Sequence, residues 1–520
     1  MSKRGFALLF ALGLFAAACG GGPTGTAGPK HGGTLRIAIG IDPDTLDPAA
    51  QTTTTASQIV DMMAETLVGL DSSGKVVPLL AESWTNSSDG LTYTFTLHSG
   101  VKFHDGTAFN AAAVKFSVDR LLSPKTFKPQ PGVLRVIKDI TAVDDTHVRF
   151  TLNSTFPAFV AAMTQTDAAI ISPASVTAPG NTQEKITVPV GTGPYKFMER
   201  MASDHITLAR FDGYWGQKPN YEQQTIKIVP EDPSREALVR AGQVDVIVSP
   251  PLSDLPALDK DPAVKVLRAP SDRTIQIIIN TVDANVPLLQ KPEVRQALNY
   301  AVDKDTIIKS VMFGNAVGLD APMSKTLFGY CSVGSYPYDV SKAKQMLQAA
   351  GASGMKVKLG APTGRYPQDI KVAAAVAGYL RDAGIQVEGP VTSDWPSYLA
   401  QVNVPPAQAK FDMHLLGWAP PYLDASQQME QFRADRIPPK GLETSYYHNQ
   451  KVEDLINKAN TETDANQRAQ DYCAASKLIW SDAPWIFMYN QRFPIVYSSK
   501  VTGVSSTPNE KFVTIHASPA

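Results

Sequence analysis

One stretch of the sequence has the spacing of a phosphate-binding loop. In GLDSSGKV, residues 69–76, two glycines enclose four residues, and the second glycine is followed by Lys75. A working loop of this kind places a Ser or Thr hydroxyl after the lysine to hold magnesium, and it opens a helix. Here Val76 follows the lysine, and the surrounding residues are typical of a polar turn. We interpret the stretch as a turn.

Two further patterns lack the context that their chemistry needs. His104 and Asp105 would need additional ligands to hold a metal, and the stretch KFHDGT around them is typical of a turn between strands. The glycine-rich GGGPTG, residues 20–25, follows no strand. The sequence contains no H-E-x-x-H, no G-x-S-x-G and no Cys/His cluster of metal spacing. We therefore expect no catalytic centre, no metal site and no cofactor.

The charges of the chain are balanced. Its 520 residues carry 48 Lys plus Arg against 49 Asp plus Glu, a formal net charge of −1. Because basic residues are not in excess, the chain has no overall positive electrostatic potential that would attract nucleic acid or an anionic membrane surface. We expect partners to be recognised at local sites. A chain of this length is also expected to fold as more than one structural unit.

The N-terminus has the features of an export signal. Basic residues precede an apolar run that is too short for a membrane span but suits a signal peptide. Small residues then precede Cys19, a pattern similar to the lipidation site of bacterial lipoproteins, although Ala16 stands where that pattern usually has Leu. We expect a signal peptide at 1–18 and a lipidated cysteine with a flexible tether at 19–31. Ordinary cleavage after an A-x-A sequence is the alternative.

Two cysteines remain once Cys19 is assigned to lipidation. Cys331 and Cys473 form an even pair in a chain that we expect to be exported. Disulfides persist in oxidising compartments outside the cytoplasm. We therefore predict a bond between these two residues, with two free thiols as the alternative.

Short strand patterns alternate with helical ones along the chain. The strict alternation in LTYTFTLHSGVKFHDG, residues 91–106, predicts a β-hairpin that turns at Ser99-Gly100. Later, MKVKLGAP is followed by an amphipathic helix at 368–384 and then by IQVEGPV, which is a β-α-β pattern. The sequence therefore predicts an α/β fold.

Several blocks resemble the extracytoplasmic solute-binding proteins of peptide and nickel ABC importers, the dipeptide- and oligopeptide-binding family. The likeness extends over almost everything after residue 32, and its order along the chain makes it specific. The blocks are LAESWTNSSDGLTYTFTLHSGVKFHDGTAFNAAAVKFSVDRLL (80–122), VGTGPYKF (190–197), ITLARFDGYWGQKP (206–219), VRQALNYAVDKDTII (294–308) and YDVSKAKQMLQAAG (338–351).

The resemblance implies a two-lobed periplasmic-binding-protein fold with an extra inserted domain and a ligand cleft between the lobes. By this resemblance the chain crosses between lobes near residues 282 and 494. The expected map is a discontinuous first lobe at 32–72, 190–282 and 495–520, an inserted domain at 73–189, and a second lobe at 283–494.

The stretch FDMHLLGWAPPYLDAS, residues 411–426, is the candidate wall of the cleft. In the family, a Gly-Trp at a strand end and an acid three residues later line the cavity, and the acid pairs with the ligand's free amine. Here that position is Pro421, and Asp424 is the only nearby acid. The resemblance thus implies that the amine anchor is displaced or absent. We expect Trp418 and Tyr422 to contact ligand through their ring faces, and Asp424 to hydrogen-bond either to ligand or to its own loop.

A second candidate stretch is PTGRYPQD, residues 362–369. It resembles the segment that supplies an arginine to the ligand carboxylate in dipeptide binders, and a planar guanidinium suits a carboxylate bidentately. We predict that Arg365 takes this role with Tyr366 packed beside it. A surface arginine is the alternative.

These observations predict a binding protein rather than an enzyme. The expected function is capture of a peptide or peptide-like solute and its delivery to the permease subunits of an ABC importer, by a monomer anchored through lipid outside the cytoplasm. The missing acid leaves a non-peptide ligand, such as an oligosaccharide, an opine or a metal chelate, as the alternative. A secreted hydrolase and a structural lipoprotein are the alternatives from other classes.

Overall fold

The computed structural model describes residues 32–51, 53–123 and 132–520. The predicted signal peptide, Cys19 and the tether lie outside these ranges. Within them the strands are β1 (Thr34–Ile39), β2 (Val68–Leu70), β3 (Val76–Pro78), β4 (Ala81–Asn86), β5 (Thr92–Leu97), β6 (Ile137–Ala142), β7 (His147–Leu152), β8 (Tyr195–Met201), β9 (His205–Arg210), β10 (Gln223–Ile228), β11 (Val246–Val248), β12 (Val264–Ile279), β13 (Ala316–Gly318), β14 (Lys356–Thr363), β15 (Gln386–Asp394), β16 (Met413–Trp418), β17 (Trp485–Ser498), β18 (Val501–Thr502), β19 (Ser505–Thr507), β20 (Lys511–Val513) and β21 (Ser518–Pro519).

The helices connect these strands and cover their faces. They are α1 (Thr54–Val60), α2 (Ala111–Leu122), α3 (Phe159–Ala162), α4 (Asp232–Arg240), α5 (Leu255–Leu258), α6 (Pro292–Ala301), α7 (Lys304–Thr306), α8 (Val340–Ala349), α9 (Asp369–Asp382), α10 (Trp395–Val402), α11 (Ala425–Met429), α12 (Gln450–Thr461) and α13 (Ala465–Asp482).

One large mixed sheet runs through the molecule in the order β15-β14-β16-β12-β17-β11-β1-β10-β9-β8. Strands β8 to β11 with β1 form its end in the first lobe, and β14 to β16 form its end in the second lobe. The long antiparallel strands β12 and β17 lie between them and belong to both ends. Their register shifts between Pro270 and Thr274, which marks a β-bulge where the two ends of the sheet meet.

The sequence patterns explain much of this sheet. β14 and β15 are parallel and are joined by α9, as the β-α-β pattern predicts. The apolar run of β12 is buried on both faces from Thr274 to Ile279, as expected for a central strand. The predicted hairpin at Ser99-Gly100 is wrong. β5 is a strand, but it pairs with β4 and β7, while Lys102 only bridges Ala108.

The inserted domain has its own four-stranded sheet in the order β4-β5-β7-β6. Alternate residues of β5 point inward and are buried, and they pack with α2 and α3 in a separate aromatic core. α2 begins at Asn110, whose side chain accepts from the backbone N–H of Ala113 and so caps the helix. The local sequence therefore sets both the strand face and the start of the helix.

A disulfide joins Cys331 to Cys473, with 5.6 Å between the Cα atoms. It ties the loop before α8 to α13 within the second lobe. The bond closes a loop of 142 residues, which constrains the unfolded chain strongly.

Candidate functional site

The end of β16 is where several predicted site residues meet. Trp418 is the last residue of this strand and pairs with Thr274 of β12, at the edge of the bulge. Tyr366 packs on the strand, and its hydroxyl donates to the Gly417 carbonyl at 3.1 Å. A Cβ on Gly417 would lie 2.6 Å from Ile275 Cδ1 and 2.8 Å from Tyr366 Cε1. Glycine at this position therefore lets the tyrosine lie against the strand.

Arg365 extends over two aromatic rings beside this strand end. Its guanidinium carbon lies 5.1 Å from the ring centre of Tyr366 and 5.0 Å from that of Trp395, at cation–π distance. Within the described ranges Arg365 makes no ion pair, and part of its side chain is exposed. Desolvation by the surrounding protein and the positive charge of Arg273 lower the pKa of Arg365. Such a guanidinium is open to an anion brought from outside.

Arg273 and Glu510 form an ion pair on the opposite side of the site. Arg273 Nη2 lies 2.7 Å from Glu510 Oε2, and Ser271 Oγ donates to Glu510 Oε1 at 2.8 Å. Burial acts to raise the pKa of Glu510, but the charge of Arg273 and these hydrogen bonds hold it below its ordinary value. The pair links the bulge of β12 to the turn before β20.

Among the buried polar atoms without partners in the described residues are the indole Nε1 of the half-buried Trp418 and both amide atoms of Gln276 and Gln428. Gln276 is opposite Leu416 on β16, so it lies diagonally across from Trp418 on the same face. Buried polar groups are ordinarily hydrogen-bonded, so the free donors and acceptors of Trp418 and Gln276 suit a polar ligand.

The structure places Tyr422 and Asp424 away from Arg365. Tyr422 is fully buried against the core of the inserted domain, with its ring centre 6.3 Å from that of Phe156. Asp424 caps α11 by accepting from the Ser426 N–H, and it pairs with Arg468 of α13, whose Nη1 lies 2.8 Å from Oδ2. Both side chains are thus engaged with protein, and contact of either with ligand stays a prediction.

A cavity of about 440 Å³ lies beyond this loop. The turn 73–76 of the inserted domain and the segment 326–328 of the second lobe form its two sides, with Asp424 and Arg468 in the wall. The stretch 69–76, which has the spacing of a phosphate loop, is therefore a hairpin turn between β2 and β3 that faces another domain.

Sequence reasoning assigned no role to Arg273 and Glu510. Arg273 stands in SDRTIQIIIN, where adjacent acidic and basic residues directly precede an apolar run, and this is a signal that could have pointed to it. Glu510 stands in a polar turn and has no such signal. His104, set aside as a metal ligand, lies beside Gly193 with its Nε2 2.9 Å from the carbonyl oxygen.

Neither a membrane span nor a metal centre is found in the part of the chain that the structure describes. None of its helices combines the length and apolarity needed to cross a bilayer. No group of three or more His, Cys, Asp or Glu side chains there could hold a metal ion.

Two lobes on a shared sheet and an inserted domain define an α/β binding protein of the periplasmic type. The profile of bacterial extracellular solute-binding proteins, family 5, matches residues 75–438, and the chain belongs to this family of ABC-importer subunits. The predicted two-lobed fold and the predicted family are confirmed. The family's members are substrate-binding proteins of transporters and work outside the cytoplasm.

Relatives and solved structures agree with this assignment. The chain is 33% identical over 482 residues to the glutathione-binding protein GsiB of Pectobacterium atrosepticum, which is 92% of each protein. The periplasmic binding protein DppA of Helicobacter pylori in complex with the peptide STSA superposes with a TM-score of 0.75 at 28% identity, over 93% of this chain and 98% of that one. The binding protein AgaA of A. tumefaciens R10 in complex with agropinic acid gives 0.73 at 26%, over 94% and 99%.

Proposed function

We propose that this protein captures a small peptide-like solute carrying a carboxylate, and delivers it to the permease of an ABC importer. The observation that carries the proposal is the guanidinium of Arg365, which is held over Tyr366 and Trp395 without an acidic partner among the described residues. A bidentate hydrogen bond to a ligand carboxylate would complete it. The relatives named for glutathione and for a peptide support this class of ligand.

In this proposal Arg365, Tyr366 and Trp418 contact the ligand directly. Tyr422 and Asp424 do not contact the ligand in this proposal. Their contacts with the inserted domain and with Arg468 position the loop that carries Trp418. The free Nε1 of Trp418 and the amide of Gln276 supply polar contacts to the body of the ligand.

Native mass spectrometry of protein purified from its host, followed by calorimetry, tests the proposal. We expect a co-purified small molecule with a carboxylate, and binding of reduced glutathione or of a member of a di- and tripeptide panel. Loss of binding when the carboxylate is amidated supports the role of Arg365. Failure of every carboxylate compound to bind would reject it.

An opine is the second candidate ligand, because Pro421 occupies the position of the family's amine-binding acid, and the solved structure of AgaA holds agropinic acid. The same calorimetry with opines beside the peptides separates the two classes.

Attachment to the membrane through Cys19 and a monomeric state complete the proposal. The apolar run and the small residues before Cys19, which are similar to a lipoprotein signal, support the lipid anchor. The mass of the N-terminal peptide from membrane-extracted protein tests the anchor, and sedimentation of the soluble form tests the oligomeric state.

A further inference from the structure

Asp272 lies in the bulge of β12, next to the site described above. It stands two residues before Thr274, which pairs with Trp418, so about 7 Å of extended strand separates it from the aromatic end of β16. Its backbone N–H donates to the Pro508 carbonyl at 2.8 Å. A Cβ at Gly74 would lie 3.2 Å from Pro508 and 2.7 Å from Leu423. Asp272 is therefore placed where the first lobe, the inserted domain and the second lobe meet.

The side chain of Asp272 is buried and unpaired within the part of the chain that the structure describes. The residue is 1% exposed, and neither oxygen has a hydrogen-bond partner among the described residues. The cation nearest in sequence, Arg273, is held by Glu510, which also accepts from Ser271. Desolvation and the nearby charge of Glu510 raise the pKa of Asp272 well above its ordinary range. A buried carboxylate in this position is costly unless a cation or a donor meets it.

Asp272 becomes complementary in charge to Arg365 only when a cation beside it favours its ionised form, and the two side chains do not pair with each other in the described residues. Each lacks an ion pair among the described residues, although Arg273 and Glu510 lie near both. Asp272 stands two residues before Thr274, which pairs with Trp418, and Tyr366 beside Arg365 bonds to Gly417, so both groups belong to the end of β16. A carboxyl and a guanidinium there match a ligand that carries opposite charges at its two ends. A peptide, with an ammonium and a carboxylate, is such a ligand.

From this arrangement we propose that Asp272 is the group that binds the ammonium of the ligand. The proposal rests on the proposed function, since it assumes the ligand whose carboxylate Arg365 holds. It also accounts for Pro421, because an acid on β12 replaces the acid that the 418–424 loop does not supply. Asp424 cannot take this role while it is paired with Arg468.

Calorimetry with matched probes tests the proposal. The probes are reduced glutathione and trialanine, each with a free α-amine and each N-acetylated, and the proteins are wild type, Asp272→Asn and Arg365→Ala. We expect wild type to prefer the free amine by at least tenfold, and Asp272→Asn to lose that preference while its affinity for the acetylated probe is unchanged. Arg365→Ala should weaken both forms alike.

The control variant is Asp212→Asn, which removes an exposed acid of the first lobe and should change neither affinity. Thermal unfolding of the ligand-free proteins guards against a folding effect, and Asp272→Asn should not lower the melting temperature, because no hydrogen bond is lost. Equal weakening of both probe forms, or an unchanged preference for the free amine in Asp272→Asn, would overturn the role of Asp272 and leave the proposed function intact. If wild type binds neither probe in either form, both proposals fail for peptides.

Discussion

At the scale of single residues, the site is built from groups that the rest of the protein leaves free. Arg365 is the clearest case, because aromatic rings hold its guanidinium in place without neutralising it. Contacts with aromatic rings hold a guanidinium in one orientation and leave its N–H groups free to donate hydrogen bonds. The donors of the guanidinium thus stay available to a ligand.

Arg365→Ala should therefore weaken ligand affinity by at least tenfold and leave the melting temperature of the ligand-free protein nearly unchanged. Removing one partner of a buried charge pair typically costs about 2–5 kcal/mol in binding. Calorimetry with the co-purified ligand and a thermal melt measure the two effects. Arg149→Ala, an exposed arginine on β7, is the matched control. Unchanged affinity of Arg365→Ala would show that Arg365 is a surface arginine that does not bind the ligand.

Glu443 is a buried acid that makes stability depend on pH. It is fully buried, its Oε1 accepts from the Ser445 N–H at 3.0 Å, and its Oε2 has no partner among the described residues. Desolvation raises its pKa from 4.5 to about 8, although hydrogen bonds from Ser445 oppose the shift. Between these values the folded state binds more protons than the unfolded state, so the free energy of unfolding falls as pH rises from about 4.5 to about 8.

Glu443→Gln removes this titration. We compare the free energy of unfolding of Glu443→Gln with that of wild type at two pH values. From pH 5 to pH 8.5 the difference should change in favour of the variant by on the order of 2–4 kcal/mol, since each pKa unit is worth about 1.4 kcal/mol. Urea unfolding at the two pH values measures it. Glu184→Gln, at an exposed acid, should show no such change. A gap between wild type and Glu443→Gln that does not widen with pH would contradict the expectation.

At the scale of elements, a buried ion pair holds the loop of Trp418 in place. Asp424 and Arg468 are 3% and 5% exposed at their side chains, and they join the start of α11 to α13. The disulfide at Cys473 lies one turn and a half further along the same helix. α13 therefore holds two segments in place: the loop that carries Trp418, through the ion pair, and the segment at Cys331, through the disulfide.

Asp424→Asn should destabilise the protein rather than act on the ligand alone. Leaving one member of a buried pair without its partner costs about 3–5 kcal/mol. Denaturant unfolding measures this, with Asp119→Asn as control, because that acid pairs with Lys115 on the surface of α2 and contributes about 0.3–0.5 kcal/mol. A variant with wild-type stability and lost affinity would show that Asp424 contacts the ligand.

The elements themselves were largely predictable, and their partners were not. The β14-α9-β15 unit follows from local patterns because its strands are neighbours along the chain and in the sheet. The alternation of β5 indicates its buried face but not its neighbours, so the chain bends at Ser99-Gly100 while the predicted hairpin pairing is wrong. The sequence likewise gives Tyr422 as an aromatic residue at a strand exit, and this pattern does not distinguish a core side chain from a ligand contact.

At the scale of the whole molecule, the two lobes share a sheet whose central pair, β12 and β17, shifts register at Pro270/Thr274 and again at Ile275/Gln276. The predicted chain crossings lie near 282 and 494, whereas β12 already passes between the two ends of the sheet at its bulge, Pro270–Thr274. We infer that bending occurs at this bulge and at the facing part of β17. Bulges interrupt the ladder and bend a strand, so they are suited to this motion.

Ligand binding should therefore compact the protein. Small-angle scattering on wild type should show a smaller radius of gyration with saturating ligand than without, because hinge closure over a ligand brings the lobes together. Arg365→Ala at the same ligand concentration is the control and should stay open. Identical radii with and without bound ligand in the wild type would exclude hinge closure.

The position of β17 has a consequence for how the molecule is made. This strand comes from residues 485–498, close to the end of the chain, yet it lies between β11 and β12 in the middle of the sheet. β11 and β12 cannot pair with β17 until β17 has been synthesised, and pairing over such a sequence distance is slow. The two ends of the sheet therefore cannot be joined into one sheet before residues 485–498 have been synthesised.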